Sequence, residues 1–366
     1  MARSAGGVLL LSFLAGPAGS SDILSPAYLS VLRRYAAGER ASALTELASW
    51  PVVRLRSEIG SLDALRGQAR VCLGCGAAEI WEDVPARAGL MLHADAALAD
   101  WRAGRPARLQ ESAALAYAGM MRDDPRHADF VRRFFEATVA IHQLELRWGL
   151  ALDWTERGLR AFPGSAALHL VVGTIEEVQG TLVAPAMIAD VFVDPAARSL
   201  RARASADRDA RQHFASARAA LRKALVSDPS CVEARLRLGR LAWRLGEPQA
   251  ARAEFQAVLA AEGQGDRAFL AHLFRGRLDE DAGRLDDAVA SYTAALALLP
   301  QSHSAGVALS EARHRLGDLP GAREALPAAR PGAATRGAGD PFSRYPYGSS
   351  EDAEVRLEAL RRELTP

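Results

Sequence analysis

The sequence predicts an all-α fold, a solenoid of stacked helix-turn-helix hairpins, on three observations. Apolar residues make up 49% of the 366, but Ala and Leu carry them and aromatics reach only 6%, a bias that favours helices over strands. Apolar positions recur at helical spacing in successive segments that end on glycine, where a positive φ closes a helix at little steric cost. The segments also repeat. Cys231 to Gly246 aligns with Phe269 to Gly283 through Gly239 on Gly276 and Gly246 on Gly283, and a second amphipathic segment follows each, Pro248 to Leu259 and Leu285 to Leu296.

In chain order, residues 1–20 carry Arg3, the apolar run Val8 to Ala15, then Gly16, Ala18 and Gly19. That is the order of a secretory signal peptide, and the run is too short to span a bilayer. Export to the periplasm or beyond is the expectation, with a cytoplasmic location as the alternative. No later segment reaches about 18 uncharged apolar residues, so the mature chain is expected to have no membrane span and to be soluble. Residues 21–130 read as degenerate hairpins: Pro26 to Ala37, Gly38, Arg40 to Trp50, then Pro85 to Ala103 and Leu109 to Met121. Cys72 and Cys75 have C-x-x-C spacing, but no second pair or nearby His completes a zinc site and no βαβ pattern flanks them. A structural pair is the first reading, and a thiol redox role is the alternative.

Residues 131–330 hold the array. Arg132 to Leu144 pairs with Arg147 to Phe162 before Pro163, and Ala166 to Gly180 is a first helix with Gly173 and Gly180 in register. Its partner carries Ala217, Leu221, Ala224 and Pro229, so about 32 residues, 181–211, are inserted between the two. The insertion is expected to cover one end of a groove or meet a partner; the alternative is a longer helix pair. A last copy starts at His303, with Gly317 closing its first helix and Ala322 and Leu326 on its second. Within the copies Ala251 matches Ala288, Phe255 matches Tyr292 and Val258 matches Ala295.

This spacing resembles the tetratricopeptide repeat of bacterial proteins, with a small residue where paired helices touch and an aromatic four positions later. The resemblance implies a right-handed α-solenoid in which Trp243, Phe255, Phe274 and Tyr292 fill the gaps between helices. It also implies a concave face on the first helices, with Glu233, Leu236, Arg240, Trp243 and Arg244 from one repeat. The next supplies Leu270, Leu273, Arg277, Glu280 and Asp281, and the last Val307, Glu311, His314 and Arg315. Of these, Arg240, Trp243, Arg244, Arg277, Glu280, Asp281, Glu311, His314 and Arg315 are the expected binding residues. Such a face suits a polar peptide held by charge-assisted hydrogen bonds and one or two anchors, or it is a solvated face of internal ion pairs. The clamp that reads acidic chaperone tails uses Lys and Asn. Here Asn is absent and Lys223 is the sole lysine, which excludes that function.

After Pro327 comes a Gly- and Ala-rich linker, then Asp340-Pro-Phe-Ser-Arg-Tyr-Pro-Tyr-Gly348, so 331–348 reads as linker and aromatic segment before a C-terminal helix within 349–366. Phe342, Tyr345 and Tyr347 are too apolar for a free tail and are expected to dock on the last repeat as a cap, with a self-ligand in the groove as the alternative.

Forty-five basic against 44 acidic side chains give no overall field for nucleic acid or an anionic membrane. H-E-x-x-H, G-x-S-x-G, S-x-x-K and P-loop motifs are absent, and the eight histidines are dispersed, so no catalytic, metal or cofactor site is expected. The expectation is a non-catalytic scaffold for a protein or peptide partner. The alternative is a structural subunit of a larger envelope complex.

Overall fold

The computed structural model describes residues 24–71, 85–189, 197–329, 340–347 and 352–364, and among them all regular secondary structure is helical. Residues 1–20, Cys72 with Cys75, and most of the Gly- and Ala-rich linker lie outside the described residues. The helices are α1 (Pro26–Ala36), α2 (Arg40–Ser49), α3 (Val52–Val71), α4 (Ala86–Arg102), α5 (Arg108–Met121), α6 (Ala128–Leu144), α7 (Trp148–Ala161), α8 (Ala166–Ala189), α9 (Ala197–Ser227), α10 (Val232–Arg244), α11 (Pro248–Ala261), α12 (Asp266–Asp281), α13 (Leu285–Leu298), α14 (His303–Arg315), α15 (Leu319–Ala329), α16 (Pro341–Arg344) and α17 (Ala353–Arg362). Tyr345–Tyr347 forms a 3₁₀ turn after α16. No described helix is long and apolar enough to cross a membrane.

The chain divides into two compact units, Met1–Arg133 with Leu357–Pro366, and Phe134–Arg356. In the first, α1 starts where Ser25 accepts the Tyr28 N–H and Pro26 takes the first helical position, which needs no N–H. It buries Tyr28, Leu32 and Tyr35. Between α1, α4 and α5 runs a buried chain of neutral polar groups. Tyr117 donates to the Tyr28 hydroxyl at 3.1 Å, Tyr28 meets His93 Nε2 at 2.5 Å, and His93 Nδ1 meets Gln110 Oε1 at 2.6 Å. One tautomer, with the proton on Nδ1, satisfies every link. Burial lowers the His93 pKa to about 4, with the Gln110 hydrogen bond opposing it. Leu357 and Leu360 of α17 are buried in this unit, and Arg361 donates to Asp95 at 2.6 Å.

The second unit is an array of hairpins, α8–α9, α10–α11, α12–α13 and α14–α15, each packed on the next. Each of the last three closes its first turn in one way. At Gly246, φ is +76°, its N–H reaches the Trp243 carbonyl and the Glu247 N–H reaches Ala242, two bonds that only a left-handed residue permits. The α6–α7 turn makes the same pair of bonds at Leu146, φ +58°, a conformation costly for a side chain. Inside the hairpins glycine serves a second purpose: a Cβ on Gly276 would lie 2.3 Å from the Tyr292 ring. Phe255, Phe274 and Tyr292 are buried there as expected.

Three readings need correction. No helix over 52–71 was expected; α3 buries the stripe Leu55, Ile59 and Leu62 at i, i+4 and i+7, which Arg54, Arg56, Glu58 and Asp63 interleave with charge. Gly180 does not close a helix, since α8 continues to Ala189. Its glycine accommodates the Phe214 ring, which a Cβ would meet at 2.6 Å. Of the span read as an insertion, residues 181–189 continue α8 and residues 197–211 belong to α9. Leu326 is 45% exposed rather than packed, since no further hairpin follows α15 among the described residues.

Candidate functional site

The first helices of the array, α8, α10, α12 and α14, share a face that carries most of the unit's buried charge. Glu177 on α8 and Arg237 on α10 are 1% and 0% exposed. Arg237 donates to Glu177 Oε2 at 2.8 Å and to Glu233, one turn earlier on its own helix, at 2.8 Å. Arg240, a turn later, donates to Glu177 Oε1 at 2.8 Å. Helical spacing explains the pairings within α10: positions 233, 237 and 240 lie on one stripe.

Onto this cluster sits residue Tyr345. Its hydroxyl donates to Glu177 Oε1 at 2.8 Å, its carbonyl accepts from Arg237 at 2.7 Å, and its ring lies 4.4 Å from the Arg237 guanidinium carbon and 4.6 Å from that of Arg240. Phe274 of α12 meets the ring edge-on at 5.2 Å. Burial and the Glu177 carboxylate push the phenol pKa well up, so it stays a donor. Burial works against the Arg237 charge, but Tyr345, Glu233 and Glu177 outweigh it and hold its pKa above the ordinary value. The seat is thus an aromatic ring between two cations with a carboxylate at its tip.

The aromatic tail therefore does not simply cap the last repeat. Asp340 does reach α14, accepting from Ser302 Oγ at 2.9 Å and from the Ser304 N–H and hydroxyl at 3.0 Å. Tyr345, however, lies on the earlier helices, because a buried phenol needs an acceptor and Glu177 supplies it. Phe342 stays 44% exposed, touching the Phe274 edge.

Of the expected binding residues, Arg240 is under the tail. Trp243 donates to Asp281 at 2.7 Å. Arg244 borders the cluster, where burial and repulsion from Arg240 lower its pKa. Glu280 accepts from Tyr292 at 2.7 Å and from Arg315 at 2.8 Å, and Arg277 lies 3.6 Å from Glu280 and 3.8 Å from Glu311. Glu311 and His314 line an open groove of about 490 Å³ with Val307, Leu319, Ala322 and Leu326. Sequence reasoning missed Glu177, Arg237 and Asp340 as members of this face. The available signals were an arginine between Leu236 and Leu238 in an apolar stripe, and a Glu233-to-Arg237 spacing of one turn.

Among the described residues no three His, Cys, Asp or Glu side chains converge as metal ligands. Cys231 is a free thiol whose pKa burial raises, the opposite of an activated one.

Residues 196–267 and 273–341 match the family model described as tetratricopeptide repeat, and the chain carries such repeats there. No curated protein is matched. Similar solved structures include MamA, 17% identical over 54% of this chain and 90% of MamA at a TM-score of 0.38. Another is YrrB, titled a TPR protein with an unusual peptide-binding site, 15% identical over 53% of this chain and 82% of YrrB at 0.36. A monomeric IFIT1 mutant with Gppp-AAAA is 15% identical over 79% of this chain and 66% of IFIT1 at 0.40. These are likenesses of fold.

Proposed function

We propose that this chain is a non-catalytic scaffold that recruits a protein or peptide partner along the first-helix face of its repeats, α10, α12 and α14. The observation that carries the proposal is the seating of residues 340–347. A short segment from outside the repeats lies on that face through one aromatic anchor, two arginines and a carboxylate, the means by which a repeat surface holds a peptide. The partner engages the part beyond the tail, Arg277, Glu311 and His314 with the groove beside Val307. Export belongs to the same proposal, supported by Arg3, the apolar run to Ala15 and the small residues after it.

A photo-crosslinking amino acid at 277, 311 or 314 tests it against the same group at exposed Gln256 or Thr293 on the second helices. A partner captured from the first-helix positions alone is the expected result. Equal capture from both faces, or none, refutes the proposal. Cell fractionation checks export.

A further inference from the structure

We propose that the Tyr345 seat is an exchangeable recognition site for partner segments of the form Asp-Pro-x-x-x-Tyr, and that residues 340–347 are the chain's own ligand for it. This deepens the scaffold reading and rests on it.

The segment is held at its two ends. Asp340 caps α16 through the Phe342 N–H at 3.0 Å while it accepts from Ser302 and Ser304 on α14. Five residues on, Tyr345 enters the charged seat. Between them Pro341 is buried, while Phe342 and Ser343 are exposed. Anchors at Asp340-Pro341 and at Tyr345 around the exposed pair Phe342 and Ser343 are the anatomy of a docked peptide rather than of a core element.

The seat reads chemistry, not apolar bulk alone. A ring without the hydroxyl would fill the space between Arg237, Arg240 and Phe274 but would take a donor away from a buried carboxylate. Sites that hydrogen-bond a ligand hydroxyl reject the analogue lacking it far better than apolar pockets reject a size change. Keeping Arg237 and Glu177 dry is costly, and for stability alone a hydrophobic plug of similar volume serves as well or better. A charged cluster that is completed only by a peptide's phenol and carbonyl is suited to recognition. Space also continues beside the seat, in a cavity of about 490 Å³ lined by Cys231, Glu233, Arg267, Leu270, Arg344 and Tyr345. A basic residue before the tyrosine gains a further contact, as Arg344 does with Asp266 at 2.9 Å.

The test uses the full chain and a fluorescent peptide with the sequence of residues 338–348. A Tyr345→Ala chain, checked by circular dichroism, is expected to bind the peptide at least about tenfold more tightly than wild type, whose seat is occupied. The peptide with Phe at the Tyr345 position is expected to bind about tenfold or more weakly than the parent. Excess peptide is expected to speed amide exchange of residues 340–347 in the wild-type chain. If Tyr345→Ala does not fold, Asp340→Ala replaces it, with tighter peptide binding than wild type again expected. No binding to either opened chain overturns the proposal, as does indifference to the hydroxyl. A dimer that Tyr345→Ala converts to monomer also overturns it, assigning the seat to a second copy's tail. Crosslinking at 311 and 314 is read separately, so the scaffold reading survives or fails on its own.

Discussion

Beside its Arg361–Asp95 ion pair, the first unit buries a run of neutral polar groups from Tyr117 through Tyr28 and His93 to Gln110, whereas the second buries the ions Arg237 and Glu177 and covers them with Tyr345. In the first case the links from Tyr117 to Tyr28, Tyr28 to His93 and His93 to Gln110 pair each donor with an acceptor from α1, α4 or α5, so these links close within the packed helices. In the second the repeats supply two carboxylates, Glu177 and Glu233, and two guanidinium groups, and a phenol and a carbonyl from outside the repeats complete the cluster. A self-sufficient network specifies packing; an incomplete one specifies a ligand.

Substitution at Glu177 puts the greatest strain on that contrast. Glu177→Ala leaves Arg237 buried with one carboxylate fewer and is expected to cost about 3–5 kcal/mol in urea unfolding. Gln110→Ala, in the neutral network, is expected to cost about 1–3 kcal/mol. Equal losses would erase the distinction between the units.

Acid is expected to act on both units next. An unfolded histidine titrates near its ordinary 6.5, while native His93 titrates at about 4. Between those values the unfolded chain takes up a proton that the native chain refuses, so this stability is fully present above pH 6.5 and is lost as pH falls to 4. The loss from His93 is roughly 3 kcal/mol. Burial, then Arg147, lowers His142 to about 4 as well, so the second unit weakens in the same window. Thermal melts between pH 7 and 4 are expected to show this, with a shallower dependence in His93→Gln.

Packing within the repeats comes third. Gly276→Val drives a side chain into the Tyr292 ring and is expected to cost about 1–3 kcal/mol, read as a lower denaturation midpoint.

The smallest expected effect has the opposite sign. Leu146 occupies the left-handed position that Gly246, Gly283 and Gly317 hold elsewhere, and Leu146→Gly is expected to stabilise by up to about 1 kcal/mol after the added unfolded-state entropy. A fall in melting temperature would mean that the Leu146 side chain contributes more than its backbone strain costs.

Legibility in the sequence followed these same physical divisions. Helices α10 to α14 were readable because glycine and aromatic recur at fixed spacing, and each recurrence has a local cause, a closing turn or a ring against bare backbone. Gly180 misled because both causes select glycine, and only the neighbouring Phe214 ring shows which one operates. Helix α3 was overlooked because its stripe, Leu55, Ile59 and Leu62, is only three residues long and is interleaved with charges. On α10, Arg237 and Arg240 look alike in sequence, yet one is fully buried and the other lies at the rim.

By itself the sequence determined the helical class, the hairpin period, the closing glycines and a tail too aromatic to stand free. Those properties depend on spacings of one to four residues or on the chirality of a single residue. Only the tertiary structure decided which charges go dry and where the tail rests. Glu177 meets Arg237 across 60 residues and Tyr345 across 168, and the strength of such pairs depends on distance and desolvation, which exist only once the helices have stacked.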